Sequence, residues 1–194
     1  MQTDLRAAKA VLRRQINAAL AAMSAAQRHA GSAKICARLR DLAAWKNAKS
    51  VLLFAPMPAE PDIWPLLAEA LAAGKAVALP RFNAAVRNYV AVRVLDWRND
   101  VVSGHFGIRE PTVRCPEVPL NHLDLFLVPG VVFDWHGHRL GRGKGFYDRL
   151  LANLSGVKCG IAFDEQVVKA VPVGPSDVRM DFVLTPARGV NCGD

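Results

Sequence analysis

Short apolar runs alternate with helix-forming segments along this chain, and that alternation limits the folds open to it more than any other feature. Leu5, Ala8, Leu12, Ile16 and Leu20 recur at three- and four-residue steps, the spacing of an amphipathic helix. Ser24 with Gln27 reads as a capping box that opens a second helix running to about Ala43. Residues 50–54 form a short apolar run, a buried strand by length and flanks. Pro56, Pro58 and Pro61 make the next stretch a loop, and Asp62 caps a helix that ends at Gly74, with Pro65 tolerated in its first turn. Residues 75–79 read as a strand stopped by Pro80, residues 89–95 as another strand, and residues 101–119 as mostly loop. The apolar run at 123–128 is a strong buried strand; it runs into Pro129-Gly130, residues 131–134 and a glycine-rich loop. A helix over 146–154 follows, then strands over 157–163 and 182–185. The pattern predicts an α/β fold: a single layered domain over residues 1–194, with a largely parallel central sheet flanked by helices, Rossmann-like. Ligands of such sheets bind beyond the carboxyl ends of the strands, so the loops at 56–61 and 134–145 are where a site is expected.

Composition narrows the partners. The net charge of +8 favours polyanions: nucleic acid, an anionic membrane surface, or small phosphorylated or carboxylated ligands. A nucleic-acid module is disfavoured because Tyr and Phe are not interleaved with Lys and Arg as in a stacking platform. A membrane span needs about 18 continuous apolar residues, and none occur in a row here. Cys36, Cys115, Cys159 and Cys192 form no Cys-x-x-Cys pair and have no His at finger spacing, which argues against a zinc site or disulfide framework. Scattered thiols and an N-terminal stretch that mixes Asp4 with Arg6, Lys9, Arg13 and Arg14 lead to the expectation of a cytoplasmic, monomeric protein.

The chemistry is concentrated in residues 129–149. Gly141, Gly143 and Gly145 alternate with Arg142 and Lys144, and a helix opens directly after them. Glycine lets the backbone approach a ligand and take positive φ. Successive N–H groups of such a loop form an anion nest, the helix start adds partial positive charge, and two cations add full charges. Phosphate is the guest this suits, although the spacing matches neither the P-loop nor Gly-x-Gly-x-x-Gly. A basic surface turn is the plainer alternative.

The string Phe133-Asp-Trp-His-Gly-His-Arg-Leu-Gly-Arg-Gly-Lys-Gly-Phe-Tyr-Asp148, after an Asp-Leu-x-Leu-x-Pro-Gly strand, resembles the signature of the 5-formyltetrahydrofolate cyclo-ligase family. Weaker matches follow in the family's order: Lys9-x-x-x-Arg13, Glu60, Leu79-Pro80-Arg81, Phe106-Gly-Ile-x-Glu-Pro111, Gln166 and Asp181-x-Val-Leu-Thr185. The resemblance implies an ATP- and Mg2+-dependent ligase. ATP phosphorylates the formyl oxygen of 5-formyltetrahydrofolate, the nitrogen at position 10 attacks the activated carbon, and 5,10-methenyltetrahydrofolate, ADP and phosphate result. The same glycine loop also fits another ATP-dependent phosphotransferase, or a folate binder without turnover.

Roles follow residue by residue. Lys9 and Arg13, one turn apart on a helix face, are implied to meet ATP phosphates, together with Arg139, Gly141, Arg142, Gly143, Lys144, Gly145, Phe146, Tyr147 and Asp148. Arg142, Lys144 and Tyr147 are the implied catalytic groups. Phe54, Glu60, Phe106 and Tyr147 are implied to bind the folate, Glu60 through paired hydrogen bonds to the pterin's donor edge. Asp148 and Asp181 are the implied magnesium ligands. Arg81 is a candidate for the folate's glutamate carboxylates, while His136 and His138 read as solvated turn residues. One departure stands out: Ile63 falls where the family often has Thr.

Overall fold

The computed structural model describes residues 2–104, 107–152 and 154–193. Two long helices open the chain, α1 (Gln2–Ala22) and α2 (Ala25–Asp41). The break between them is the expected capping box. Gln27 N–H donates to Ser24 Oγ at 3.1 Å, and Ser24 N–H donates to Gln27 Oε1 at 2.7 Å. Leu42 is extended, so the second helix ends at Asp41 and a short α3 (Ala43–Asn47) begins, anchored by buried Trp45.

Then come β1 (Ser50–Leu52), α4 (Trp64–Ala72), β2 (Ala76–Asn83), β3 (Asn88–Val94) and α5 (Trp97–Asp100). Asp62 does brace the start of α4: Trp64 N–H donates to its Oδ1 at 2.9 Å. The remaining elements are β4 (Val101–Ser103), β5 (Arg109–Pro111), β6 (Leu125–Pro129), β7 (Val132–Asp134), β8 (Arg139–Leu140), α6 (Phe146–Leu151), β9 (Val157–Ile161), β10 (Val167–Val168), β11 (Phe182–Leu184) and β12 (Gly189–Asn191).

The main sheet has the order β12-β11-β9-β6-β1-β2-β3. The pairs β11–β9, β9–β6, β6–β1 and β1–β2 are parallel, and only the outer strands β12 and β3 run antiparallel to their neighbours. The expected α/β sheet is therefore present. Both faces are covered, and the pleat shows it. Leu125 and Leu127 of β6 join the core made with α1, α2 and α4, whereas Phe126 and Val128 join the core made with Leu150 and Leu151 of α6. Successive side chains on a strand point to opposite faces, so a strand buried on both must be apolar throughout. Among the described residues, no helix is long and apolar enough to cross a membrane.

Two expectations need correction. Pro80 does not stop β2, which continues to Asn83 paired with β3. Leu53 N–H donates to Ala78 O, so Ala78 and, two residues on, Pro80 turn their backbone groups toward β1. The N–H that proline lacks is therefore not one that the β2–β3 ladder needs. The described residues of 101–119 are mostly loop, as expected, with one short antiparallel pair, β4 and β5, set within them. The helix expected over 146–154 stops at Leu151.

β1 connects through α4 to β2 on one side of the sheet, while β6, β9 and β11 lie on the other. The order of strands thus reverses between β1 and β6, and a crevice opens beyond their carboxyl ends at such a switch point.

Candidate active site

A cavity of about 980 Å³ occupies that crevice, near the upper end of the ~300–1,000 Å³ usual for small-molecule sites. Each wall comes from a different part of the chain. Phe54, Met57 and Glu60 follow β1; Pro129 and Gly130 end β6; Lys9 and Arg13 come from α1; Gly141–Asp148 form the glycine loop and the start of α6; Pro175–Val178 precede β11.

The loop takes its shape from its glycines. Gly143 has φ +99° and Gly145 φ +64°, a left-handed backbone that costs a side-chain-bearing residue about 1–2 kcal/mol. α6, at six residues, is a short helix, so the anion-attracting character of the site rests on the loop and its cations more than on a helix dipole. Arg13 braces the loop from α1, its Nε donating to Gly141 O at 2.8 Å. Lys9 Nζ pairs with Asp177 Oδ2 at 2.5 Å, both side chains largely buried. Lys144 lines the cavity, and its carbonyl accepts from Arg149 Nη1 at 3.1 Å.

Arg139 is almost fully enclosed. Its Nη2 donates to Asp148 Oδ1 at 2.6 Å and its Nη1 to Pro129 O at 3.3 Å, while its Nε is buried without a hydrogen-bond partner. Its guanidinium carbon sits 5.7 Å from the centre of the Tyr147 ring. Burial pushes the Tyr147 hydroxyl far above its ordinary pKa, Glu60 adds to the rise, and Arg139 opposes it. Tyr147 therefore stays protonated, able to donate a hydrogen bond but not to act as a base.

Glu60 is held on both oxygens. Met57 N–H donates to Oε2 at 3.0 Å and Arg142 Nη2 to Oε1 at 3.1 Å. Phe54 is 3% exposed, so it is core and cavity wall at once. Phe106 lies outside the described residues.

The structure separates the two expected metal ligands. Asp148 lines the cavity; Asp181 does not. Asp181 sits beside β9, its Oδ2 accepting from Lys158 N at 2.7 Å with Lys158 Nζ at 3.5 Å. The carboxylate that does share the wall with Asp148 is Asp177, and Val178 N–H reaches toward Asp148 Oδ1 at 3.5 Å. Residue type and spacing do not distinguish Asp177 from Asp181, both acids on one short segment before β11; only the resemblance singled out Asp181. Among the described residues no three His, Cys, Asp or Glu side chains cluster to form a complete metal site. Two hard carboxylates beside a phosphate loop nonetheless suit magnesium, which typically takes about one or two carboxylates and completes its shell with water and substrate phosphates.

Two further readings change. Arg81 does not reach the cavity: its Nη1 donates to Thr112 O at 2.9 Å, and its Nη2 pairs with Glu117 at 3.1 Å. It ties β2 to the segment after β5. His138 is not a free turn residue, because its Nδ1 lies 3.0 Å from Oδ2 of the fully buried Asp134. A wall residue that the sequence did not reveal is Tyr89, packed edge-on against Phe146 at 5.2 Å and Phe82 at 5.6 Å. Its only signal was an aromatic side chain at the start of a strand.

A family model described as the 5-formyltetrahydrofolate cyclo-ligase family matches residues 5–186. The chain is 34% identical over 145 residues to the 5-formyltetrahydrofolate cyclo-ligase of Escherichia coli, covering 73% of this chain and 80% of that one. It is 35% identical over 153 residues to the enzyme of the same name from Mycolicibacterium smegmatis, covering 74% and 77%. An NMR structure of Aquifex aeolicus 5,10-methenyltetrahydrofolate synthetase superposes with a TM-score of 0.86 at 34% identity, covering 96% of this chain and 93% of that one.

Proposed function

Because the chain belongs to the 5-formyltetrahydrofolate cyclo-ligase family, we propose that it closes the ring of 5-formyltetrahydrofolate at the expense of ATP, with magnesium, to give 5,10-methenyltetrahydrofolate, ADP and phosphate. The observation that carries this reading is the single cavity. One wall offers Glu60 and Phe54, suited to a flat ring with a donor-rich edge, and another wall offers a glycine loop with Arg142 and Lys144, suited to phosphates. Two substrates that must exchange a phosphoryl group would meet between those walls.

In the first step the formyl oxygen attacks the terminal phosphorus and ADP leaves. In the second, the nitrogen at position 10 attacks the activated carbon, the C–O bond breaks, phosphate leaves and the nitrogen loses its proton. Little of this needs covalent help from the protein, so positioning and charge stabilisation carry it. The backbone of Gly141–Gly145, with Arg142 and Lys144, holds the phosphates and meets the charge that develops on the transferring group. Lys9 and Arg13 extend the cationic wall from α1. Tyr147, protonated and next to the loop, donates toward a phosphate or formyl oxygen. Phe146 supports the loop through its ring contacts with Tyr89. Asp148 and Asp177 would hold the magnesium ion, which would supply neutralising charge to the phosphates. Arg139 fixes the orientation of Asp148 and backs the Tyr147 ring.

The test is direct. Purified protein with 5-formyltetrahydrofolate, magnesium and ATP should produce the near-ultraviolet absorbance of methenyltetrahydrofolate, and omission of ATP should abolish it. A folded, ATP-binding preparation that gives no rise would overturn the assignment in favour of another phosphoryl acceptor.

A further inference from the structure

Glu60 and Arg142 come from different loops that line the cavity and bind each other. Under the function proposed above, on which this inference rests, each has a different ligand: Glu60 the donor edge of the pterin, Arg142 the phosphates of the nucleotide. Neither can serve its ligand fully while it serves the other. Glu60 Oε2 already accepts from Met57 N–H, so Oε1 is the oxygen left for a ligand, and Oε1 is the one Arg142 covers. The two side chains differ in freedom. Glu60 is 9% exposed and pinned by its own loop, whereas Arg142 is 50% exposed on the glycine loop. Arg142 is therefore the partner that can swing.

A phosphate draws it away. A guanidinium pairs with phosphate through two parallel charge-assisted hydrogen bonds, and a triphosphate brings more negative charge than one carboxylate. Here the competing contact to Glu60 is a single hydrogen bond at the edge of solvent. We infer that Arg142, besides holding phosphates, couples the two substrate subsites: it caps Glu60 until nucleotide phosphates take it, and so each substrate strengthens the binding of the other.

Linkage makes the effect reciprocal, with one factor acting in both directions. Its size follows from the pair being broken. A half-exposed ion pair gives a factor of about two to five.

The experiment is a calorimetric titration of 5-formyltetrahydrofolate into wild type and Arg142→Ala, each with and without saturating magnesium and adenylyl imidodiphosphate, a non-hydrolysable ATP analogue. The wild type should bind the folate about two- to fivefold more tightly when the analogue is present. Arg142→Ala should bind the folate without analogue about as tightly as the wild type does with it, and the analogue should then have no effect. The mirror arm uses Glu60→Gln: with Arg142 released, the analogue alone should bind more tightly than it does to wild type by the same factor. Circular dichroism checks that both variants are folded. The inference is overturned if Arg142→Ala keeps the wild-type coupling, or if its folate binding without analogue is weaker than wild type. Folate binding without coupling removes this inference alone, and a folded wild type that binds no folate removes the proposed function with it.

Discussion

Replacing Asp134 by Asn tests whether the site is held together by one buried carboxylate. Asp134 is fully buried and accepts four hydrogen bonds: His136 N–H and His138 N–H on Oδ1, both at 3.0 Å, and Val171 N–H at 2.9 Å with His138 Nδ1 at 3.0 Å on Oδ2. Those bonds join the turn that delivers Arg139 and the glycine loop to the segment leading to Asp177. Every neighbour donates, with His138 assigned its proton on Nδ1. An asparagine has nearly the same shape but only one acceptor oxygen. With its oxygen toward His136 and His138 N–H, its NH2 faces Val171 N–H and the His138 ring, which can change tautomer and accept, so the bond from buried Val171 N–H is the one lost. At about 1–3 kcal/mol for an unsatisfied buried donor, the cost is about 2 kcal/mol. For a chain of this size that corresponds to a fall in Tm of roughly 4–8 °C at neutral pH. Differential scanning calorimetry reads it directly, and a fall of less than about 2 °C would refute the reasoning, being at most about 1 kcal/mol on the same scale. The pH dependence gives a second check. Burial by itself raises the carboxyl's pKa, but the bonds from Val171 and from the backbone and ring of His138 outweigh it and leave the pKa below the ordinary value. A group depressed in the folded state stabilises fully above its unfolded pKa, about 3.9, and loses that contribution as pH falls through the folded value. The gap between wild type and Asp134→Asn should therefore narrow below about pH 4; a gap unchanged down to pH 3 would contradict the account.

Two substitutions probe the cavity itself. Lys144→Ala should lower turnover by about 100-fold with only a small change in Tm, because it removes a charge from a loop and not from the core; steady-state kinetics showing full activity would dismiss the phosphate-loop assignment. Asp177→Asn should raise the magnesium concentration needed for half-maximal rate by more than about tenfold, whereas Asp181→Asn should leave it unchanged; the reverse pattern in a magnesium titration would restore Asp181 as the ligand.

Much of the fold was legible because its signals are local. The capping box at Ser24, the apolar run that became β6 and the positive-φ glycines of the loop all act within a few residues of themselves. Arg142 and Lys144 could be named as site candidates because they alternate with glycines in a loop before a helix, whereas Glu60 and Asp148 owed their roles to the family resemblance. The misreadings share one cause: each depended on what lay across space. Pro80 reads as a strand stop, yet which neighbour its missing N–H would have faced is decided by how β2 pairs across the sheet. Arg81 looks like a ligand cation, but it is spent on Thr112 and Glu117.

Asp177 and Asp181 show the limit most clearly. Both precede β11, and residue type and spacing treat them alike. The difference is made by partners that the sequence places far away. Lys158 on β9 satisfies Asp181 at the sheet, and Lys9 on α1 draws Asp177 to the cavity wall. A helix at the very start of the chain thus selects which acid near its end faces the phosphate loop. The same helix braces that loop through Arg13 and Gly141. It follows that the site is assembled only when α1 docks, so a change that loosens α1 from the sheet should weaken phosphate and metal binding together, although α1 itself contributes no metal ligand.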